Sequence, residues 1–344
     1  MGGMSDSMLV FDRRAVRLHR DRAAATVGTT APVLREVAER LLDRLDDTKH
    51  RFARALDIGG RGVVAPLLRA RGIEVVSCDL SPAMAAVNGG VAVAADEEFL
   101  PFAPESFDLV VANLSLHWVN DLPGALIQLR MALKPDGFFL ASLPALGTLG
   151  ELRAALMEAE AMVAGGASPR VSPFPDLGDG AALLQRAGFA LPVVDADRIA
   201  VAYRNPLELL RDLRASGEGN AVRLRDRRTP PRALFPVALA TLPQEGERVP
   251  VTLRLAMLTG WAPAEVEARP RLRPGPTRGQ APGPEFIRVQ GAWPPGGSGR
   301  SPAVLAKRLA EPSRTRAGRS GRHAGQRGGR FGRGPGRAGY RGRP

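Results

Sequence analysis

Ala55-Leu56-Asp57-Ile58-Gly59-Gly60-Arg61-Gly62 is a short apolar run that closes in glycine. A run of this kind reads as a buried strand of a parallel sheet, here within Phe52–Gly59. The glycines let the backbone take positive φ and come close to a ligand. The helix expected from Val63 would turn its free N–H groups toward the same point. Taken alone the loop is weak evidence, because tight strand-to-helix turns often hold glycine for their own sake.

Outward from this loop the pattern repeats. Val63–Arg71 suits a helix and stops before Gly72. Glu74–Cys78 reads as a strand ending at Asp79. Ser81 then caps a helix that Pro82 opens. Val91–Ala95 and Phe107–Ala112 are further strands. Asn120-Asp121-Leu122-Pro123 opens a helix with Leu122, Ala125, Leu126 and Leu129 on one face, and Lys134-Pro135-Asp136-Gly137 stops it before a strand at Phe138–Leu143. Upstream, Leu34, Val37, Ala38, Leu41, Leu42 and Leu45 have the spacing of a helix buried on one side over Ala31–Asp46. Beyond Pro144, helices are expected at Leu149–Val163, Gly180–Ala187 and Pro206–Ala215. One or two strands are expected in Val193–Tyr203, and strand-like stretches in Val249–Gly260.

Strands alternating with helices predict an α/β chain with a parallel sheet covered on both faces and right-handed crossovers. Ligands of such sheets bind beyond the carboxyl ends of the strands. Gly59, Asp79, Asp96 and Asn113 each follow a predicted strand, so all four should meet at one crevice. Asp79 lies about 20 residues past the glycine loop, where an acid accepts the hydroxyls of a ribose. The plainer alternative is an exposed Asp or a helix cap. Asp96 and Glu97 open Asp-Glu-Glu-Phe-Leu-Pro-Phe, where an acid can take an adenine amino group under Phe99 or Leu100. The plainer alternative there is a polar turn.

With these residues in place the chain resembles the class I S-adenosylmethionine-dependent methyltransferases. The likeness rests on Leu56-Asp57-Ile58-Gly59, Asp79, Leu100-Pro101-Phe102, Phe107-Asp108-Leu109-Val110-Val111 and Leu133-Lys134-Pro135-Asp136-Gly137. More narrowly, Ser115-Leu116-His117-Trp118-Val119-Asn120-Asp121-Leu122-Pro123 resembles a group holding a respiratory complex I assembly factor and malonyl-carrier-protein methyltransferases. Gly166–Phe174 and Gly217-Glu218-Gly219-Asn220 are similar to the assembly-factor branch. The resemblance covers about Phe11 to Pro263.

It implies a Rossmann-like, mostly parallel seven-stranded sheet with helices on both faces. It also implies S-adenosyl-L-methionine as cofactor, held by Asp57, Gly59, Gly60, Gly62, Asp79, Asp96, Glu97 and Asn113. The implied partners are an unidentified methyl acceptor, a carrier protein or a complex I subunit. The domains expected are an N-terminal helical extension (1–50), a methyltransferase domain (51–265) with a helical insert at about 149–220, and a disordered basic tail (266–344). Two departures stand out. The family's Asp-x-Gly-x-Gly-x-Gly loop is one residue shorter here, and Ala145-Leu146-Gly147 replaces a Gly-Gly-Asp.

No catalytic dyad stands out. His117 and Trp118, at the expected crevice rim, are the candidates for catalysis, with Trp118 against the cofactor or over a cation. Packing is the plainer role for Trp118, and that of a polar residue beside a helix for His117. Arg13, Arg14, Arg17 and Arg20 either line the cleft for an acidic partner or form a solvated helix face. His19, His50, His117 and His323 are scattered, so no metal site is expected.

The net charge of +13 is unevenly spread: residues 271–344 hold 17 Lys+Arg against 2 Asp+Glu, a net of +15, which leaves 13 − 15 = −2 for the rest. Any nucleic-acid reading therefore concerns the tail, where Arg-Gly steps with Phe331 and Tyr340 suit RNA contacts. The bias also matches a shifted reading frame in GC-rich DNA. The single cysteine, Cys78, excludes an intramolecular disulfide, and no run approaches the ~18 apolar residues of a membrane helix. The N-terminus lacks a secretory apolar stretch, and Asp6, Asp12 and Asp21 argue against a transit peptide. A cytoplasmic protein is expected, or a mitochondrial-matrix one in a eukaryote.

Three functions remain open. They are methyl transfer to an unknown acceptor, complex I assembly (through arginine hydroxylation or as a non-catalytic chaperone), and RNA binding through the tail.

Overall fold

β1 (Arg54–Ile58), β2 (Glu74–Asp79), β3 (Val91–Ala94), β4 (Phe107–Asn113), β5 (Leu133–Pro144), β6 (Ala190–Tyr203) and β7 (Val249–Trp261) form one sheet. Its order is β3-β2-β1-β4-β5-β7-β6. The first five strands are parallel, and β7 runs antiparallel between β5 and β6. The structure, a computed structural model, describes residues 9–264 apart from 167, 177 and 179. The Arg/Gly-rich tail, and with it the RNA-binding reading, lies outside the described residues.

The period of two in the strands sorts the core into two layers. On one face Ala55, Val75, Leu109, Val111, Leu140 and Met257 pack against α2 (Ala31–Leu42) and α3 (Val64–Ala70). On the other, Leu56, Ile58, Val76, Cys78, Val110, Phe139 and Leu258 pack against α5 (Leu122–Ala132) and α7 (Gly180–Arg186). Each fully buried Leu, Ile or Phe in these layers contributes about 1.5–3 kcal/mol. A third cluster joins α6 (Gly150–Ala164), α8 (Pro206–Ala215) and α9 (Leu234–Ala240) to Val249 and Val251 of β7. α1 (Arg13–Ala23) carries a smaller set, in which Phe11, Ala15 and Val16 meet Trp118, Ala221 and Val222.

Local chemistry fixes the helix starts. Ser81 Oγ accepts from Met84 N (3.0 Å) at the head of α4 (Pro82–Val87). Asp121 Oδ1 accepts from Gly124 N (2.8 Å) at the head of α5, and Asp12 Oδ1 from Ala15 N (3.1 Å) at the head of α1. Such caps contribute about 1 kcal/mol each. The outer strand β6 carries Asp195 and Asp197, bound by Arg44 (2.6 Å) and Arg40 (3.0 Å), and charge on an edge discourages stray strand pairing.

Three elements differ from the sequence reading. β5 begins at Leu133, not Phe138: Leu133 pairs with Phe107, and the register shifts before Leu109 pairs with Phe138. β6, expected as one or two strands from Val193, is a single strand that begins at Ala190, because β7 offers it an unbroken partner from Val249 to Thr259 before the register shifts near its start. α9 lacks a sequence signal: it is short, and Pro236 occupies its first turn, where a missing N–H costs nothing.

Candidate functional site

β1 delivers Asp57 to the sheet's carboxyl edge, fully buried. Ser77 Oγ is 3.4 Å from Asp57 Oδ2, while Oδ1 has no partner. Burial, with Asp79 adding repulsion, pushes the Asp57 carboxyl up to about 7. Gly60 lies directly over this carboxyl: a Cβ there would fall 1.9 Å from Oδ2, so no side chain fits. Gly62 turns at φ +79° and its N–H donates to Asn88 Oδ1 at 2.7 Å. Gly59 turns at φ +63°, and a Cβ on it would lie 2.5 Å from Ser115 Cβ. The shortened loop therefore packs flush against the turn that follows β4.

The acids at the ends of β2 and β3 are already engaged. Arg20, one turn before the end of α1, is 1% exposed. Its Nη1 donates to Asp79 Oδ2 (3.2 Å) and Glu97 Oε1 (2.8 Å), and its Nη2 to Ser115 O (3.3 Å). Arg13, two turns earlier on the same helix face, donates to Asp96 Oδ1 (2.6 Å) and to Glu97 Oε2. Burial raises Glu97, but Arg20 and Arg13 outweigh it and hold the carboxyl down at about 2. Asp79 stays above its ordinary value, because burial exceeds what the shared Arg20 returns. One guanidinium cannot fully balance two buried carboxylates, and Glu97, with Arg13 as well, takes the larger share.

A second knot lies beside the first, with Arg61 and His117 buried and Glu218 partly exposed. Arg61, in the glycine loop with φ +49°, sends Nη1 to Glu218 Oε1 (2.5 Å) and Nη2 to the carbonyls of Asn113 (3.2 Å) and Leu114. The other oxygen, Glu218 Oε2, takes His117 Nε2 (2.8 Å) and Trp118 Nε1 (2.8 Å). Burial raises Glu218, but His117 and Arg61 hold it well below the usual carboxylate range. An ionised carboxylate only accepts, so His117 carries a proton on Nε2. Its buried Nδ1 has no partner.

Arg61, His117, Trp118 and Glu218 form one wall of an apolar cavity of about 1050 Å³ including its mouth. Leu114, Leu149, Phe174, Val201, Leu213 and Leu253 supply much of the rest.

The structure thus brings Asp57, Gly59, Gly60, Gly62, Asp79, Asp96, Glu97, His117 and Trp118 to one edge of the sheet. Asn113 is turned away: its Nδ2 donates to Leu34 O (3.0 Å) and its Oδ1 accepts from Ser142 Oγ (2.9 Å), so its side chain ties α2 to β4 and β5. Phe99 points outward, 76% exposed, and Leu100 packs on the core rather than over a ring. Trp118 meets Phe11 edge-on at 5.3 Å, a packing contact, while its Nε1 donates to Glu218. Arg13 and Arg20 do line the cleft, but the acids they meet belong to the same chain; Arg17 instead faces Asp21 (3.8 Å).

The residues absent from the sequence reading of the site are Arg61 and Glu218. Glu218 lies about 100 residues from His117, with only the Gly217-Glu218-Gly219 turn to flag it.

The donor set suits the adenosyl half of S-adenosylmethionine. Carboxylates stand at the ends of β2 and β3, a glycine loop follows β1, and Asp57 Oδ1, Ser115 Oγ and His117 Nδ1 lack partners nearby. Among the described residues no group of three His, Cys, Asp or Glu side chains is placed to hold a metal ion. No described helix is long and apolar enough to cross a membrane.

Residues 56–141 match the methyltransferase domain family. The human protein named arginine-hydroxylase NDUFAF5, mitochondrial, is 38% identical over 83% of this chain and 86% of its own length. A malonyl-[acyl-carrier protein] O-methyltransferase of Laribacter hongkongensis is 36% identical over 76% of this chain and 92% of its own. The solved YcgJ protein of Bacillus subtilis superposes with a TM-score of 0.47 at 17% identity, over 65% of this chain and 98% of that one. The glycine loop after β1, the acids after β2 and β3, and the sequence similarity over most of the length of the human and Laribacter proteins agree: the chain belongs to the class I S-adenosylmethionine-dependent methyltransferase family, in the group that includes NDUFAF5 and the malonyl-carrier-protein O-methyltransferases.

Proposed function

We propose that this protein transfers a methyl group from S-adenosylmethionine to an acceptor bound in the apolar cavity, with His117 as the base. The observation that carries this reading is the unpartnered Nδ1 of His117, buried beside the cavity while Glu218 holds the other ring nitrogen. When bound, the cofactor supplies an electrophilic methyl on a sulfonium, which the protein positions and does not activate chemically.

Asp57 and the Gly59–Gly62 loop would hold the cofactor from the β1 side, with Asp79, Asp96 and Glu97 on its hydroxyl and amino groups. Asn113 contributes no side chain to it. His117 Nδ1 takes the acceptor's proton, and the Glu218 carboxylate balances the charge the ring then gains. A base so placed contributes about 10²–10⁴-fold. The cavity's apolar lining excludes water and suits an acceptor with an aliphatic or aromatic body.

A second reading is favoured by one contact. Glu218 already grips a guanidinium, that of Arg61, at 2.5 Å. Relatives are named arginine hydroxylases, and with the complex I subunit implied by the sequence resemblance an arginine there is the matching acceptor, either for oxygen from dioxygen, with two electrons from an external reductant, or for an assembly role alone. The compartment we assign is the cytoplasm, or the mitochondrial matrix in a eukaryotic host.

The test is intact-mass measurement after incubation in air with S-adenosylmethionine, a two-electron reductant and either a malonyl-loaded carrier protein or the complex I subunit. A gain of about 14 Da, a methyl in place of hydrogen, supports methyl transfer; a gain of about 16 Da, one oxygen atom from dioxygen with the other reduced to water by the added reductant, supports the second reading. No gain on either acceptor, from protein that binds the cofactor, overturns both catalytic readings and leaves assembly. His117→Gln should keep cofactor affinity while turnover falls about 10²-fold or more.

A further inference from the structure

We propose that Arg20 is an internal competitor of the cofactor: its guanidinium occupies the place between Asp79 and Glu97, and the cofactor binds only as α1 withdraws it. The inference rests on the reading that this crevice takes S-adenosylmethionine. It adds that the crevice is shut by a side chain of the same protein.

Four strand ends meet at one guanidinium. Arg20 Nη1 reaches Asp79 after β2 and Glu97 after β3, and Nη2 reaches the Ser115 carbonyl after β4. The loop after β1 lies beneath: a Cβ on Gly59 would stand 3.7 Å from Arg20 Nη1. In open α/β sheets this is the ground where ligands sit. Asp79 and Glu97 are both 0% exposed. No hydroxyl or amino group can reach them while Arg20 stays. Arg13 closes the outer side of Glu97 in the same manner, from the same helix.

α1 is built to be released. Its buried residues are Ala15, Val16, Arg20 and Ala23, a small apolar anchor for eleven residues. The rest of its hold is polar: Arg20, Arg13 and Asp12 pair with Asp79, Glu97, Asp96 and Arg225. Such bonds have substitutes in water, whereas apolar burial has none. Thr26 and Gly28, just past the helix, are exposed, and a Cβ on Gly28 would touch nothing, which leaves room for a hinge.

The closed state lowers apparent affinity by the fraction of molecules that are open. Removing the competitor should therefore tighten binding without adding any contact to the cofactor. The opposite follows if Arg20 belongs to the cofactor's own site, since its loss would then weaken binding.

The experiment titrates the full chain with S-adenosylhomocysteine by calorimetry, as wild type, Arg20→Gln and Arg20→Lys. It also follows hydrogen exchange of amides 13–23 in the wild type with and without saturating ligand. Expected are binding about ten-fold tighter or more in Arg20→Gln, an intermediate value in Arg20→Lys, and faster exchange in α1 when ligand is bound. Binding that is unchanged or weaker in Arg20→Gln, or α1 exchange that stays level or slows, overturns the proposal while leaving the cofactor reading intact. No binding by any folded form overturns both. If Arg20→Gln does not fold, the wild-type exchange decides alone, faster for and level or slower against.

Discussion

Replacing Glu218 by glutamine keeps the shape of the cavity wall and removes one charge. In the wild type this carboxylate takes Arg61 on Oε1 and both His117 and Trp118 on Oε2. An amide can accept on one side only; its NH₂ must face a donor on the other. The variant therefore loses either the bond to Arg61 or the bonds from His117 and Trp118, and sets donor against donor. Breaking a buried ion pair from one side costs about 3–5 kcal/mol. Arg61 keeps the carbonyls of Asn113, Leu114 and Ser216, so the low end, about 3 kcal/mol, applies.

Urea denaturation at pH 7 reads this directly. With a slope of about 3 kcal/mol per molar, the midpoint should fall by about 1 M. The pH dependence carries a sign. His117 and Arg61, outweighing burial, hold the Glu218 carboxyl below its ordinary value. Its stabilisation is thus complete above the unfolded value of about 4.3 and fades as pH falls toward the folded one. The difference between wild type and Glu218→Gln should be constant from pH 6 to 8 and shrink in acid. A loss under about 1 kcal/mol at pH 7, or a gap that ignores pH, would refute the ion-pair account.

Asp57 gives the opposite slope: its carboxyl is pushed up to about 7 by burial, so the wild type should lose up to about 4 kcal/mol as pH rises from 4 through 7. Asp57→Asn should flatten that segment of a stability-against-pH curve. Gly60→Ala puts a methyl 1.9 Å from the Asp57 carboxyl; a cost of about 2 kcal/mol should lower Tm by about 4–8 °C. Gly28→Ala, where nothing lies within 4 Å, should leave the same thermal melt within about 2 °C. Trp118→Phe removes one donor from Glu218 and keeps the aromatic contact with Phe11, so a loss of about 1 kcal/mol in urea is expected.

The layers of the fold were legible because they follow local rules. Leu34, Val37 and Leu41 repeat at the helical period, and Leu56 and Ile58 at the strand period. Ser81-Pro82 and Asp121-Leu122-Pro123 mark helix starts by the bonds their own side chains make. The same rules put Asp79 and Glu97 at strand ends, and so on the edge where a parallel sheet binds ligands. What no local rule contains is the partner of each side chain once the edge is assembled. Asn113 had the right position and yet turns to Leu34 on α2. Arg61 has no signal beyond its place in the glycine loop, and in the fold it links that loop to Glu218.

The sequence by itself thus determined the sheet, its helices and the acids after β2 and β3, since periodicity and capping act between near neighbours. Only the tertiary structure decided that α1 seats Arg20 among those acids, and that a turn about 100 residues from His117 supplies the carboxylate that orients it. Charges buried together must find one another wherever the chain carries them, because an unpaired charge out of water costs several kcal/mol. That requirement acts across space and leaves no period in the sequence.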